Sequence, residues 1–136
     1  MTKDPDAQSI TVEVRDLVAE VTLNRPSRLN SFTASMHTLL RDTLTSLENA
    51  DNCRCLLLTG NGRAFCTGQD LNDRDPRKGA APPDLEDTLT RQFNPLITTI
   101  RNLKMPVVCA VNGVAAGAGA NPVSYTHLTL PTICSV

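Results

Sequence analysis

The sequence predicts an α/β domain, a sheet covered by helices, and three observations carry that prediction. Short apolar runs suited to strands alternate with longer segments whose apolar residues recur every three or four positions. Two of the runs, CLLLT (55–59) and PVVCAV (106–111), are continuous, the pattern of strands buried on both faces. Each of these two is followed at once by a glycine-rich stretch, GNGRAFCTGQDLNDRD (60–75) and NGVAAGAGAN (112–121).

In chain order, Ile10, Val12 and Val14 alternate with polar residues, and Val21 and Leu23 resume the period after a turn near Arg15 and Asp16, which predicts a β-hairpin. NRPSRLNSF (24–32) is turn-rich. Phe32, Met36, Leu39, Leu40, Leu44 and Leu47 then form the stripe of an amphipathic helix ending between Asn49 and Asn52. RCLLLTG (54–60) reads as a buried strand, and DPRKGAAPPD (75–84) as a mobile linker. A helix is expected from Leu85 to about Leu103, kinked or interrupted by Pro95. PVVCAV is a second buried strand, and the Gly/Ala run opens a last helix. No internal repeat is evident.

Composition narrows the function. The chain has 136 residues, 40% of them hydrophobic and 20% charged, enough for one domain with a real core. Its 13 basic residues balance 14 acidic ones without a basic block, and aromatic residues are scarce, so the charge and stacking surfaces of a nucleic-acid binder are missing. No apolar stretch approaches the roughly 20 residues of a membrane span, and MTKDPDAQSI lacks a secretory apolar region, so a cytoplasmic protein is expected. Cys53, Cys55, Cys66, Cys109 and Cys134 are odd in number and form no CxxC pair, which argues for free thiols against disulfides or zinc.

The glycine loops match neither GxxxxGK[ST] nor a GxGxxG with its following helix and acid, which argues against a nucleotide site. Both let the backbone approach a ligand closely. Two backbone N–H groups brought together in this way make an oxyanion hole, and a helix opening in the second loop aims its positive end at the same place. For GVAAGAGA alone, close helix packing is the equal alternative.

Three blocks, VTLNRPSRLNSF (21–32), LLLTGNGRAFCTGQDL (56–71) and PVVCAVNGVAAGAGA (106–120), resemble in order and spacing the enoyl-CoA hydratase/isomerase (crotonase) superfamily. The resemblance covers residues 10 to 120 and implies a crotonase-like spiral of ββα units, truncated, with residues 1–121 as the N-terminal part of the core. FCTGQDLNDRD (65–75) and FNPL (93–96) are most similar to the branch that isomerises ring-1,2-epoxyphenylacetyl-CoA to its oxepin form. An enoyl-CoA hydratase or double-bond isomerase shares the same motifs and stays open as an alternative.

Residue roles follow from the resemblance. The oxyanion donors would be the backbone N–H groups of Gln69 and Ala118, with Gly117 the neighbouring choice, so side-chain identity would matter mainly sterically. Coenzyme A, present as part of the substrate, would lie along Arg28, Leu29, Ala64, Thr67, Asp70, Leu71 and Val114, Arg28 meeting a phosphate. No permanently bound cofactor, metal, nucleic acid or membrane is implied, and the parent protein would be a homotrimer or hexamer. Plainer readings stand beside these: Asp70 caps a short helix, Arg28 is a solvated turn residue, Cys66 is a packed small hydrophobe, and His37 is a surface or packing histidine. Asp70, Asp73 and Asp75 read as solvated loop charges, since they do not form a calcium-loop pattern.

Two departures matter. Hydratases of the superfamily carry a glutamate where this chain has Asn121, and an amide is no general base. The tail NPVSYTHLTLPTICSV (121–136) breaks the pattern from Pro122 onward. That break favours translated sequencing-adapter read-through over a genuine short β-strand tail. The isomerase's catalytic acid is expected downstream of this chain, so the chain alone is expected to be inactive, with at most weak coenzyme A binding.

Overall fold

Alternation of buried and outward residues builds the frame of the molecule. A computed structural model describes residues 8–74, 85–124 and 127–128. Along the chain it gives strands and helices β1 (Ile10–Arg15), β2 (Val18–Leu23), α1 (Ala34–Glu48), β3 (Cys55–Gly60), β4 (Ala64–Cys66), α2 (Leu85–Thr88), α3 (Asn94–Asn102), β5 (Val107–Ala110), β6 (Val114–Ala115), α4 (Asn121–Ser124) and β7 (His127–Leu128). The main sheet has the order β1-β2-β3-β5-β7, and β4 and β6 form a second, two-stranded sheet.

The β1–β2 hairpin is antiparallel, while β2, β3, β5 and β7 run parallel. Each parallel pairing demands a crossover, and α1 and then α2 with α3 supply the first two. Register aligns Ala19 with Leu56 and Val107, and Val21 with Leu58 and Cys109, so two buried rows cross the sheet. Met36, Leu40, Leu44 and Leu47 of α1, and Leu96 and Ile100 of α3, belong to the same core. Thr33 starts α1 by accepting the Met36 N–H at 3.2 Å.

A repeat does exist in space. β3 passes to β4 and then to helices; β5 passes to β6 and then to α4. This is the expected ββα spiral, and its two small strands escape periodicity because they are three and two residues long. Other differences are local. The hairpin turn lies at Asp16 and Leu17, both at positive φ (49° and 66°), and the Leu17 carbonyl is anchored by the Arg54 and Cys55 N–H groups. Val12 is 43% exposed because β1 is an edge strand. In β3 only Leu56 and Leu58 are fully buried, so its second face is partly covered among the described residues.

The helix expected from Leu85 to about Leu103 runs without a break from Leu85 to Asn102, and the interruption expected at Pro95 is a π-helical turn over Leu89–Phe93, in which the Asn94 N–H bonds the Leu89 carbonyl. Pro122 occupies the first turn of α4 and is buried. There its missing N–H costs no helical bond, so it does not break the helix as the sequence suggested. The segment 75–84 and Cys134 lie outside the described residues.

The core rows yield a first prediction. Leu58→Ala removes the middle of the Val21–Leu58–Cys109 row and is expected to lower unfolding free energy by about 2–5 kcal/mol in urea titrations. A loss under 1 kcal/mol would mean the row is not packed as described.

Candidate active site

Three stretches of backbone, 29–32, 66–70 and 116–119, meet beside the second sheet. Leu29 and Asn30 both adopt left-handed conformations (φ 53° and 54°), which Asn tolerates and Leu does not. The strain re-aims the chain. The Leu29 carbonyl accepts the Thr67 N–H at 3.2 Å and its hydroxyl at 3.3 Å. The Asn30 amide, wholly buried, donates to the carbonyls of Asn61 and Ala64, each at 2.9 Å, while its oxygen accepts the Arg25 N–H at 2.8 Å.

Arg25 completes the clamp. Its guanidinium donates to the Ser31 carbonyl at 2.6 Å and to Asp70 at 3.0 Å, in a largely buried ion pair. Asp70 also accepts the Asn72 N–H at 2.9 Å and so caps the short helical turn Leu71–Arg74. Burial alone would raise the Asp70 pKa. The Asn72 N–H, the Arg25 hydrogen bond and charge, and the Arg28 charge outweigh it and hold the carboxyl below its ordinary value.

The direction of the Gln69 N–H follows from its neighbours. The Gly68 carbonyl accepts the Phe32 N–H at 2.7 Å, and the Asp70 N–H donates to the Phe32 carbonyl at 2.8 Å. A trans peptide sets its N–H opposite its carbonyl, so the Gln69 N–H points away from Phe32. Gly68 stands at φ 101°, and a methyl group there would lie 3.2 Å from the Ala116 carbonyl oxygen and 3.4 Å from the Ala118 nitrogen. Ala118 belongs to the first turn of the short helical segment Gly117–Ala120, where N–H groups have no partner within the helix. The Ala116 N–H binds the Cys66 carbonyl at 3.0 Å, which ties this segment to β4. At Gly119 a side chain would strike that same carbonyl.

This pairing of a strand-borne loop with the next ββα unit coincides with a sequence match. The pattern of the enoyl-CoA hydratase/isomerase family fits residues 13–130. The chain belongs to the enoyl-CoA hydratase/isomerase family. It is 55% identical over 103 residues to the 1,2-epoxyphenylacetyl-CoA isomerase of Escherichia coli K12, spanning 76% of this chain and 39% of that protein. A probable enoyl-CoA hydratase of Rhodobacter capsulatus is 42% identical over 114 residues, 83% of this chain and 42% of the relative. Among solved structures, the Pseudomonas aeruginosa protein PA4980 superposes with a TM-score of 0.80 at 27% identity, over 89% of this chain and 51% of that one. The chain thus spans about two fifths of the length of the curated relatives it matches.

Within this family frame the expected coenzyme A residues divide into two sets. Arg28, Leu71 and Val114 are exposed, Leu71 at 77% and Val114 at 59%. Leu29, Ala64, Thr67 and Asp70 are half-buried or buried, and their polar groups already serve the loop: the Ala64 carbonyl accepts from Asn30 and Asn112, for example. Cys66 is a buried thiol whose pKa burial pushes up to about 11, against the opposing Gly68 N–H, so it packs rather than attacks. Of the two plain readings of His37, surface or packing, the structure bears out packing: the ring is inside the core. Among the described residues no three His, Cys, Asp or Glu side chains gather as metal ligands would, and no helix is long and apolar enough to cross a membrane.

Sequence reasoning missed Arg25, Asn30, Asn61 and Asn112. One signal was available: Asn-Gly follows each buried strand, at 61–62 and 112–113. Asn112 accepts the Gly60 N–H and donates to the carbonyls of Gly62 and Ala64, stitching one unit to the next.

Two predictions test this clamp. Asn30→Ala strands the Arg25 N–H and the Asn61 carbonyl and is expected to cost about 3 kcal/mol or more by chemical denaturation. Asn30→Gly, which keeps the left-handed backbone easy, should cost less; equal losses would contradict a conformational share. For Asp70, the folded pKa lies below its ordinary 3.8, so its stabilisation is complete above that value and is lost as pH falls through the folded pKa. Asp70→Asn should therefore be less stable at neutral pH and show a flatter decline on acidification. An unchanged acid limb would remove Asp70 from the account.

Proposed function

We propose that the chain is the N-terminal part of an acyl-CoA thioester isomerase that converts ring-1,2-epoxyphenylacetyl-CoA to the oxepin form. The carrying observation is the adjacency of two backbone donors, the outward Gln69 N–H and the first-turn Ala118 N–H, at a glycine that leaves room between them. In this reading the thioester carbonyl oxygen sits between the two. Negative charge builds on that oxygen as the enolate-like state forms, and fixed N–H dipoles stabilise it without reorganising. Each good donor contributes about 3–4 kcal/mol to lowering the barrier.

The acyl group is read from the Escherichia coli relative's name and its 55% identity. Asn121 supports isomerisation over hydration, because an amide cannot activate water as a base. Proton transfer is assigned to an acid beyond this chain. Arg28, Leu71 and Val114 would meet coenzyme A with exposed side chains, while Leu29, Ala64, Thr67 and Asp70 would shape the loop and offer backbone.

Calorimetric titration tests the reading. Phenylacetyl-CoA should bind about tenfold tighter than free coenzyme A, the gain from a well-made hydrogen bond to the acyl carbonyl. Gly68→Ala, which intrudes beside the Ala118 nitrogen, should erase that difference. Equal affinities in the unmodified chain would contradict the hole, and hydration of crotonyl-CoA by the protein would favour a hydratase instead.

A further inference from the structure

His37 lies in the first turns of α1 and is 3% exposed. Its ring stacks on Phe32 with centroids 4.6 Å apart and meets Phe93 edge-on at 4.4 Å. Along this stripe the neighbours are Met36, Leu40 and Leu44, so packing alone does not call for an imidazole. Neither ring nitrogen has a hydrogen-bond partner among the described residues, and the buried Gln69 Oε1 has none either.

Both groups adjoin Phe32, His37 through the ring stack and Gln69 through the main-chain bridge. Burial, with the Arg41 charge adding to it, keeps the imidazole neutral, with a pKa lowered to about 4, against an opposing pull from the Gln69 side chain. A neutral imidazole offers one donor and one acceptor, the complement of a side-chain amide. Leaving both buried and unpaired is costly.

Gln69 is also the residue whose peptide N–H is assigned above to the thioester oxygen. Resting on that assignment, we propose that His37 is a positioning residue for the oxyanion hole: clamped by Phe32 and Phe93, it holds the Gln69 side chain and so fixes the angle of the Gln69 N–H. The mechanical path is short. Phe32 holds the main chain on either side of Gln69 through its own N–H and carbonyl, and holds His37 through its ring. Main chain and side chain of Gln69 are thereby both fixed to the N-terminal end of α1. This gives the Gln69 side chain a role beyond the steric one its backbone function implied. An oxyanion donor works within a few tenths of an ångström, and a displacement near 1 Å costs about a hundredfold in rate.

The test uses infrared difference spectra of phenylacetyl-CoA carrying carbon-13 at the thioester carbonyl, bound to the full chain and to His37 variants. Binding to the unmodified chain should move the carbonyl band to lower frequency. His37→Phe keeps the ring stack and removes both nitrogens; it should lose about half of that shift, one of two donors being misaligned. Its thermal midpoint should stay level or rise, since an orphaned polar group is gone, and its affinity for free coenzyme A should be unchanged. His37→Gln, which returns an amide, should regain most of the shift. His37→Leu repeats the apolar arm if the Phe variant does not fold. A full shift in the folded apolar variant would overturn the role of His37 alone. No shift in the unmodified chain would overturn the oxyanion-hole reading and this proposal with it.

Discussion

The buried side-chain amide of Asn30 is the contact on which the loops around the site depend. It closes three hydrogen bonds in a place where a missing partner costs about 1–3 kcal/mol each, and it does so from a left-handed backbone that Asn tolerates. Leu29 shares that conformation without such tolerance, at a cost of roughly 1–2 kcal/mol. Its strain persists because the Thr67 N–H and hydroxyl seize its carbonyl, and because Arg25 spans from Ser31 to Asp70 on the far side. Strain held in this over-determined way fixes the loop rather than loosening it.

From that clamp the rest of the arrangement follows in order. The main sheet ends β3 and β5 side by side, and each chain then steps into the small sheet through an Asn-Gly pair. β4 and β6 pair with a register shift between Ala64 and Cys66, which admits Phe65 as an extra residue and brings Cys66 opposite Ala115. The glycines then matter for close approach: Gly119 lies against the Cys66 carbonyl, and Gly68 against the Ala116–Ala118 backbone. Backbone donors held by parallel strands and a helix start need no particular side chain, so a hole of this kind is silent in composition. His37 and the Gln69 Oε1 stand apart from Asn30 and Asp70 as buried polar groups with no hydrogen-bond partner among the described residues.

How far the sequence foretold this depends on length scale. The hairpin and α1 were legible from their periods, and β3 and β5 from continuous apolar runs. β4 and β6 were not, since strands of three and two residues have no period to read. Pro95 was read as an interruption and follows the π-helical turn that interrupts its helix, whereas Pro122 was read as a break and the structure puts it where a helix begins. At the site, Gln69, Ala118 and Gly117 came from resemblance to a family and not from spacing. Asn30 and Arg25 stayed hidden because a turn-rich composition looks solvated, while tertiary contacts bury it. His37 was visible in the stripe, but its burial with no good hydrogen bond is a property of the packing.

The most direct measurement is a crystal structure of the chain with phenylacetyl-CoA bound. The account predicts the thioester oxygen at about 2.7–3.1 Å from both the Gln69 and Ala118 nitrogens. A thioester oxygen held by side chains, or one lying away from the Gly68–Ala118 contact, would contradict it.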